Sequence, residues 1–186
     1  MSTSAQTNEF SIVLVCDGPS GDLVLSIRDG LPESPYYDSQ PHMTLIRGIH
    51  SKVPMSDSEL VTAVRSILTT NQLLKTRVTP KKIANGFNHV YKTSSAITIK
   101  APHVLKLTRR KFIKDLESNG FSVELIEKLV YLPHITIRLG VPLRGQRKMN
   151  ATQQLAQLST IGFSDGYIFR IYKQKHGRSI RAIKFT

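Results

Sequence analysis

Pro41-His42-Met43-Thr44-Leu45 is repeated 92 residues downstream as Pro133-His134-Ile135-Thr136-Ile137. In both copies a histidine and a threonine sit two apart, with apolar residues between and after them. On a β-strand residues i and i+2 face the same way, so each copy presents an imidazole beside a hydroxyl. Met43/Leu45 and Ile135/Ile137 then fill the opposite, buried face. A fold that accommodates both copies needs two half-buried strands, and adjacent placement puts two imidazoles and two hydroxyls around one small space. A string of this kind arises by chance on the order of once in a thousand chains of this composition. Taken singly, a strand histidine hydrogen-bonded near the core is the commoner reading. The repetition favours a site.

A length of 186 residues suits one domain, 1–186, with room for a sizeable core. No apolar run approaches the roughly 20 residues that span a bilayer, and the polar N-terminus carries no secretory pattern. The single cysteine, Cys16, excludes an intrachain disulfide and a cysteine-built metal site, and it suits a reducing cytoplasm.

The net charge of +13 is unevenly spread: residues 1–60 hold eight acids against three bases, and residues 61–186 hold five acids against 23 bases. The bases gather at Lys106–Lys111, at Arg144/Arg147/Lys148 and at Lys173/Lys175/His176/Arg178/Arg181. Such a surface recruits polyanions, and RNA is the expected partner. No amphipathic helix with a broad apolar face points to a membrane.

Periodicity predicts a strand over Phe10–Cys16 and a helix through Leu23–Leu31 with Ser20 as N-cap. The first motif strand follows at Gln40–Arg47. A helix opened by the capping box Ser56-Asp57-Ser58-Glu59 comes next. Strands at Arg77–Ile83 and Ala96–Ala101 precede a helix from Val104 to Asn119. The second motif strand spans Leu132–Leu139. A short helix runs from Asn150 to about Thr160, and a terminal hairpin joins Tyr167–Lys173 to Ser179–Phe185. This α+β order suggests two related halves, each carrying one motif.

On the paired Pro-His-Met-Thr-Leu and Pro-His-Ile-Thr-Ile motifs, and on element order over nearly the whole chain, the sequence resembles the two-histidine (2H) phosphoesterase superfamily. That group holds the LigT-like RNA 2′,5′-ligases and cyclic phosphodiesterases. The resemblance implies a bilobal α+β fold, two pseudo-symmetric lobes with antiparallel-rich sheets lining a central cleft and helices outside. It implies metal-independent chemistry at phosphodiesters. It maps His42 and His134 to the catalytic pair, and Thr44 and Thr136 to phosphate-holding hydroxyls. Arg138 falls one residue earlier than the Leu-Ala-Arg continuation common in LigT-like ligases.

The residues support that chemistry directly. One neutral histidine can take a proton from water or a ribose hydroxyl, and a protonated one can deliver a proton to the departing oxygen. Both roles are met by side chains titrating near neutrality. For ring opening His134 is assigned as base and His42 as acid. Thr44 and Thr136 can donate to non-bridging oxygens. Arg138 shares strand parity with His134 and can clamp phosphate, whereas Arg47 has the opposite parity to His42 and reads as structural or surface. Tyr36, Tyr37 and Tyr131 precede the motif strands and are candidates for base stacking, with Phe87 and His89 weaker ones. His50, His103 and His176 lack a threonine partner and read as ordinary residues. No metal ligand set has supporting spacing, and no cofactor is expected.

The function expected is a phosphodiesterase acting on 2′,3′-cyclic phosphate ends or 2′,5′ linkages of RNA, working as a monomer. The alternatives are the reverse ligation, hydrolysis of 2′,5′-oligoadenylate or a small cyclic nucleotide, and a non-catalytic module that grips an RNA end.

Overall fold

The fold is that of a computed structural model, which describes residues 6–29, 40–86, 94–129, 131–138, 142–174 and 177–185. β1 (Gln6–Cys16) leads into α1 (Gly18–Asp29) and the first motif strand β2 (His42–Ser51). α2 (Asp57–Thr70), a single 3₁₀ turn (Leu73–Lys75), β3 (Thr79–Asn85) and β4 (Ser95–Lys100) follow. α3 (His103–Ser118), β5 (Phe121–Val123) and the short α4 (Leu125–Leu129) lead to the second motif strand β6 (His134–Arg138). The chain closes with α5 (Gly145–Leu155) and the hairpin β7 (Phe163–Gln174) and β8 (Gly177–Lys184).

All strands pair antiparallel, in the order β3-β4-β6-β2-β1-β7-β8, with β5 added beside β2. The two motif strands are therefore neighbours at the centre, where Met43 pairs Ile135. The architecture is α+β, as expected. Each motif strand also pairs with the strand that begins its own half. Val15 lies opposite His42 on β1, and Thr98 lies opposite His134 on β4.

The core lies on one face of this sheet. Phe10, Ile12 and Leu14 of β1, Met43 and Leu45 of β2, and Ile135 and Ile137 of β6 turn to it and are fully buried. The helices cover them with apolar stripes at helical spacing: Leu60, Val64, Ile67 and Leu68 from α2, and Leu105, Phe112, Ile113 and Leu116 from α3. The capping box opens α2 as expected: Ser56 Oγ accepts from Glu59 N, and Ser56 N donates to the Glu59 carboxylate.

Several boundaries differ from the sequence reading, each for a physical reason. Ser20 lies inside α1, because Asp17 accepts from Ser20 N and takes the capping role. Ser20 is instead buried, and its Oγ accepts from Gly162 N. α5 starts and ends five residues earlier than expected, at Gly145 and Leu155, because Ala151 and Leu155 supply its buried side. Between α3 and the second motif strand, where periodicity assigns no element, the chain forms β5 and α4.

Candidate functional site

Register decides what the motifs make together. Met43 and Ile135 pair across antiparallel strands, so one step either way sets His42 across from Thr136 and Thr44 across from His134. With Met43, Leu45, Ile135 and Ile137 all turned to the core, the four polar side chains emerge on the opposite face. The result is a diagonal square in which each strand offers an imidazole to the hydroxyl of the other. All four residues are part-exposed.

The same backbone device fixes both rings. Nδ1 of His42 lies 2.8 Å from Gln40 O, and Nδ1 of His134 lies 2.8 Å from Leu132 O. A carbonyl oxygen can only accept, so each Nδ1 carries the hydrogen and Nε2 is left to take or give a proton. The ring of Phe169 on β7 meets His42 edge-on at 5.0 Å.

Both histidines are harder to protonate than a free imidazole, a departure from the near-neutral values expected. Burial holds His42 down at about 4, assisted by the positive charges of Arg28 and His134, against the opposing bond from Gln40. Burial also lowers His134; the Leu132 carbonyl opposes it, Arg47 lowers it further, and Glu127 works the other way.

Three arginines brace this arrangement. Arg28, at the end of α1, donates through Nη2 to Thr136 O on β6 at 2.8 Å. Arg109, from α3, donates through Nε to Leu45 O on β2 at 2.8 Å and pairs with Glu127 at 3.1 Å. Only 3% of Arg109 is exposed, so a residue read within a surface basic cluster lies in the interior. Its position is legible in α3, where Leu105, Arg109, Phe112, Ile113 and Leu116 share one helical stripe.

Arg47 corrects the parity argument. Val13 pairs Thr44 but Ile12 pairs Ile46, so β2 carries an extra residue at Leu45. This bulge leaves both Leu45 and Ile46 buried and turns Arg47 to the face of His42 and Thr44. There Arg47 binds Glu127 through Nε at 3.2 Å and through Nη2 at 3.1 Å, about half its side chain remaining exposed. Gly48 follows with φ +57, a left-handed conformation in which any Cβ would run into Glu124.

Tyr131 does not offer itself as a stacking platform. The Arg109 guanidinium lies 4.3 Å above its ring, and its hydroxyl points at Met43 Sδ, so it packs beneath the motif strands. Burial raises its hydroxyl well above the ordinary range. Tyr36, Tyr37, Phe87, His89, His176 and the side chain of Arg138 lie outside the described residues. Among the described residues, aromatic groups on the motif face come from β7. Tyr167 pairs Val13 and Phe169 pairs Ser11, which aligns both with His42 and Thr44. A cavity of about 330 Å³ opens beside His42, lined by Val15, Gln40, Pro41, Tyr167, Asp165 and Lys184 among others. His50 lies in β2 within 3.8 Å of Glu124, and His103 opens α3. Among the described residues no group of three or more His, Cys, Asp or Glu could hold a metal ion.

No protein-family profile matches the chain, and no curated protein sequence matches it. Solved structures do. A crystal structure described as a phosphoesterase superposes over 96% of this chain and 97% of its own, with TM-score 0.53 and 9% identity. E. coli LigT without ligand covers 97% of this chain and 96% of its own at TM-score 0.54 and 11% identity. E. coli LigT complexed with 3′-AMP gives TM-score 0.51 and 10% identity over the same shares. At these identities the likeness is one of fold, and it extends over nearly the whole chain.

Proposed function

We propose that this chain is a two-histidine phosphoesterase that opens 2′,3′-cyclic phosphate ends or cleaves 2′,5′ linkages of RNA without a metal ion. The observation that carries the reading is the diagonal square of His42, Thr44, His134 and Thr136 on one face of two adjacent central strands. A tetrahedral phosphorus seated over it has a proton acceptor on one side, a proton donor on the other and hydroxyls toward its non-bridging oxygens. The LigT structures with ATP and with 3′-AMP support a nucleotide-like substrate.

In ring opening, water attacks phosphorus and gives its proton to one imidazole. The bond from phosphorus to one ribose oxygen breaks, and the second imidazole protonates that oxygen, leaving a phosphomonoester and a free hydroxyl. The electrostatics favour His42 as base, since burial and Arg28 keep it neutral. His134 is then the proton carrier, its charged form favoured by the Leu132 carbonyl and Glu127 against burial and Arg47. This reverses the assignment drawn from sequence. Arg47 sits where it can meet the phosphate, and Arg138, on strand parity, is a second candidate to do so. Phe169 and Tyr167 take the place of Tyr131 and stand with Tyr36 and Tyr37 as candidate surfaces for a base. In this reading residues 1–186 act as one bilobal unit, a monomer.

Purified protein offered 2′,3′-cyclic nucleotides, cyclic-ended RNA and 2′,5′-linked oligomers should yield phosphomonoesters in the presence of EDTA. His42→Ala and His134→Ala should each lower kcat by about 10²–10⁴-fold while leaving RNA binding largely intact. Turnover that vanishes with EDTA, or survives both substitutions, refutes the mechanism. An RNA-end-binding module would show binding and no turnover in any form.

A further inference from the structure

We infer that Glu127 is a positioning residue, which seats Arg47 so that the free end of its guanidinium grips the phosphate over the motif square. The inference rests on the phosphoesterase reading above. Glu127 comes from α4, just ahead of the second motif strand, while Arg47 lies on the first motif strand. The seat therefore joins the two motifs.

One buried carboxylate here serves two arginines. Glu127 Oε2 lies 3.1 Å from Nη2 of the buried Arg109, whose Nε is held by Leu45 O. Its Oε1 accepts from Arg47 twice, through Nε at 3.2 Å and Nη2 at 3.1 Å. The Arg47 backbone N–H also reaches Oε2, at 3.4 Å. Arg109 alone would balance a buried acid. The second arginine leaves the trio one positive charge in excess, and the half-exposed Arg47 is the member an anion can reach.

The way Arg47 is held decides which donors stay available. A guanidinium carries its N–H groups in a rigid planar fork. Glu127 takes Nε–H and the near hydrogen of Nη2, so Nη1 and the outer hydrogen of Nη2 lie along the opposite edge. That edge has the spacing that meets two oxygens of one phosphate. The β2 bulge has already turned Arg47 to the face of His42 and Thr44. Gly48, with φ +57, follows directly, and its carbonyl accepts from Glu124 N at 3.0 Å. Glycine lets the start of α4 close on β2 without strain, which brings Glu127 within reach.

The test measures affinity for a nucleoside 2′-monophosphate, and KM for a 2′,3′-cyclic mononucleotide, in four variants. Arg47→Ala should weaken binding about 10–100-fold, the worth of a hydrogen bond to a charged group. Arg47→Lys keeps the charge but loses the fork, so it should recover little of that affinity. Glu127→Gln should also weaken binding severalfold. Charge alone predicts the opposite sign, because removing an acid makes the site more positive. Arg47→Ala/Glu127→Gln should bind no worse than Arg47→Ala, and KM should rise in the same order across the set. Full affinity in Arg47→Ala or in Arg47→Lys, tighter binding in Glu127→Gln, or a further loss in the double variant would overturn the inference. A further loss would mean that Glu127 acts on His134 or on the fold rather than through Arg47. Arg47 is half-exposed, so its two single variants decide the matter even if Glu127→Gln does not fold. Failure of the proposed function appears separately, as absent turnover of every diester with 2′-monophosphate binding still dependent on Arg47.

Discussion

His42 and His134 are distinguished less by their own chemistry than by what surrounds them. In the unfolded chain an imidazole titrates near 6.5, whereas in the fold burial holds His42 at about 4 and lowers His134 as well. Between those values the unfolded chain binds protons that the native state refuses, so native stability should fall as pH drops from 6.5 toward 4. Urea denaturation across that range should show the fall, and His42→Gln should remove a part on the order of 1 kcal/mol after solvent screening. A curve unchanged by the substitution would contradict the burial argument. The same depression makes the protonated acid scarce at neutrality, so the maximum of kcat/KM should lie below pH 6.5. At this scale the sequence was informative for the motif residues and silent for their neighbours. The threonines and histidines declare themselves by spacing. Phe169 and Arg47 reach the site through a strand pairing and a bulge, and neither leaves a local pattern.

Among the elements, α3 and the loop around α4 hold the most consequential contact. Arg109 joins Leu45 O, Glu127 and the ring of Tyr131, and Glu127 in turn holds Arg47. Removing Arg109 alone takes from the buried Glu127 one of its two arginine partners and leaves Leu45 O without its donor. Arg109→Met should therefore cost about 3 kcal/mol or more, and Arg109→Met/Glu127→Gln should cost clearly less than the two single losses combined. Additive losses in a double-mutant cycle would mean the pair is not coupled. Most helices and strands were readable from periodicity because their apolar positions share one core. α5 was read five residues late, since its buried side consists of Ala151 and Leu155 and no long stripe fixes its ends.

For the molecule as a whole, the paired motifs foretold two related halves, and the antiparallel sheet with β2 beside β6 fulfils the requirement that they meet. What spacing alone cannot supply is the partner order of the remaining strands, which depends on contacts far apart in the chain. A ligand bridging both motif strands should stabilise the native state by about 2.7 kcal/mol at a hundred times its Kd. A nucleoside 2′-monophosphate is a suitable probe. Thermal denaturation should show that gain in wild type and its loss in both His42→Ala and His134→Ala; a gain kept by either variant would place the ligand elsewhere.

The crossed arginines carry one further implication. Arg28 leaves the first half to grip the strand of His134, and Arg109 leaves the second half to grip the strand of His42. Damage to either helix is therefore felt at the opposite motif histidine. Neither motif is steadied only by its own stretch of polypeptide, so the two halves must persist or decay together.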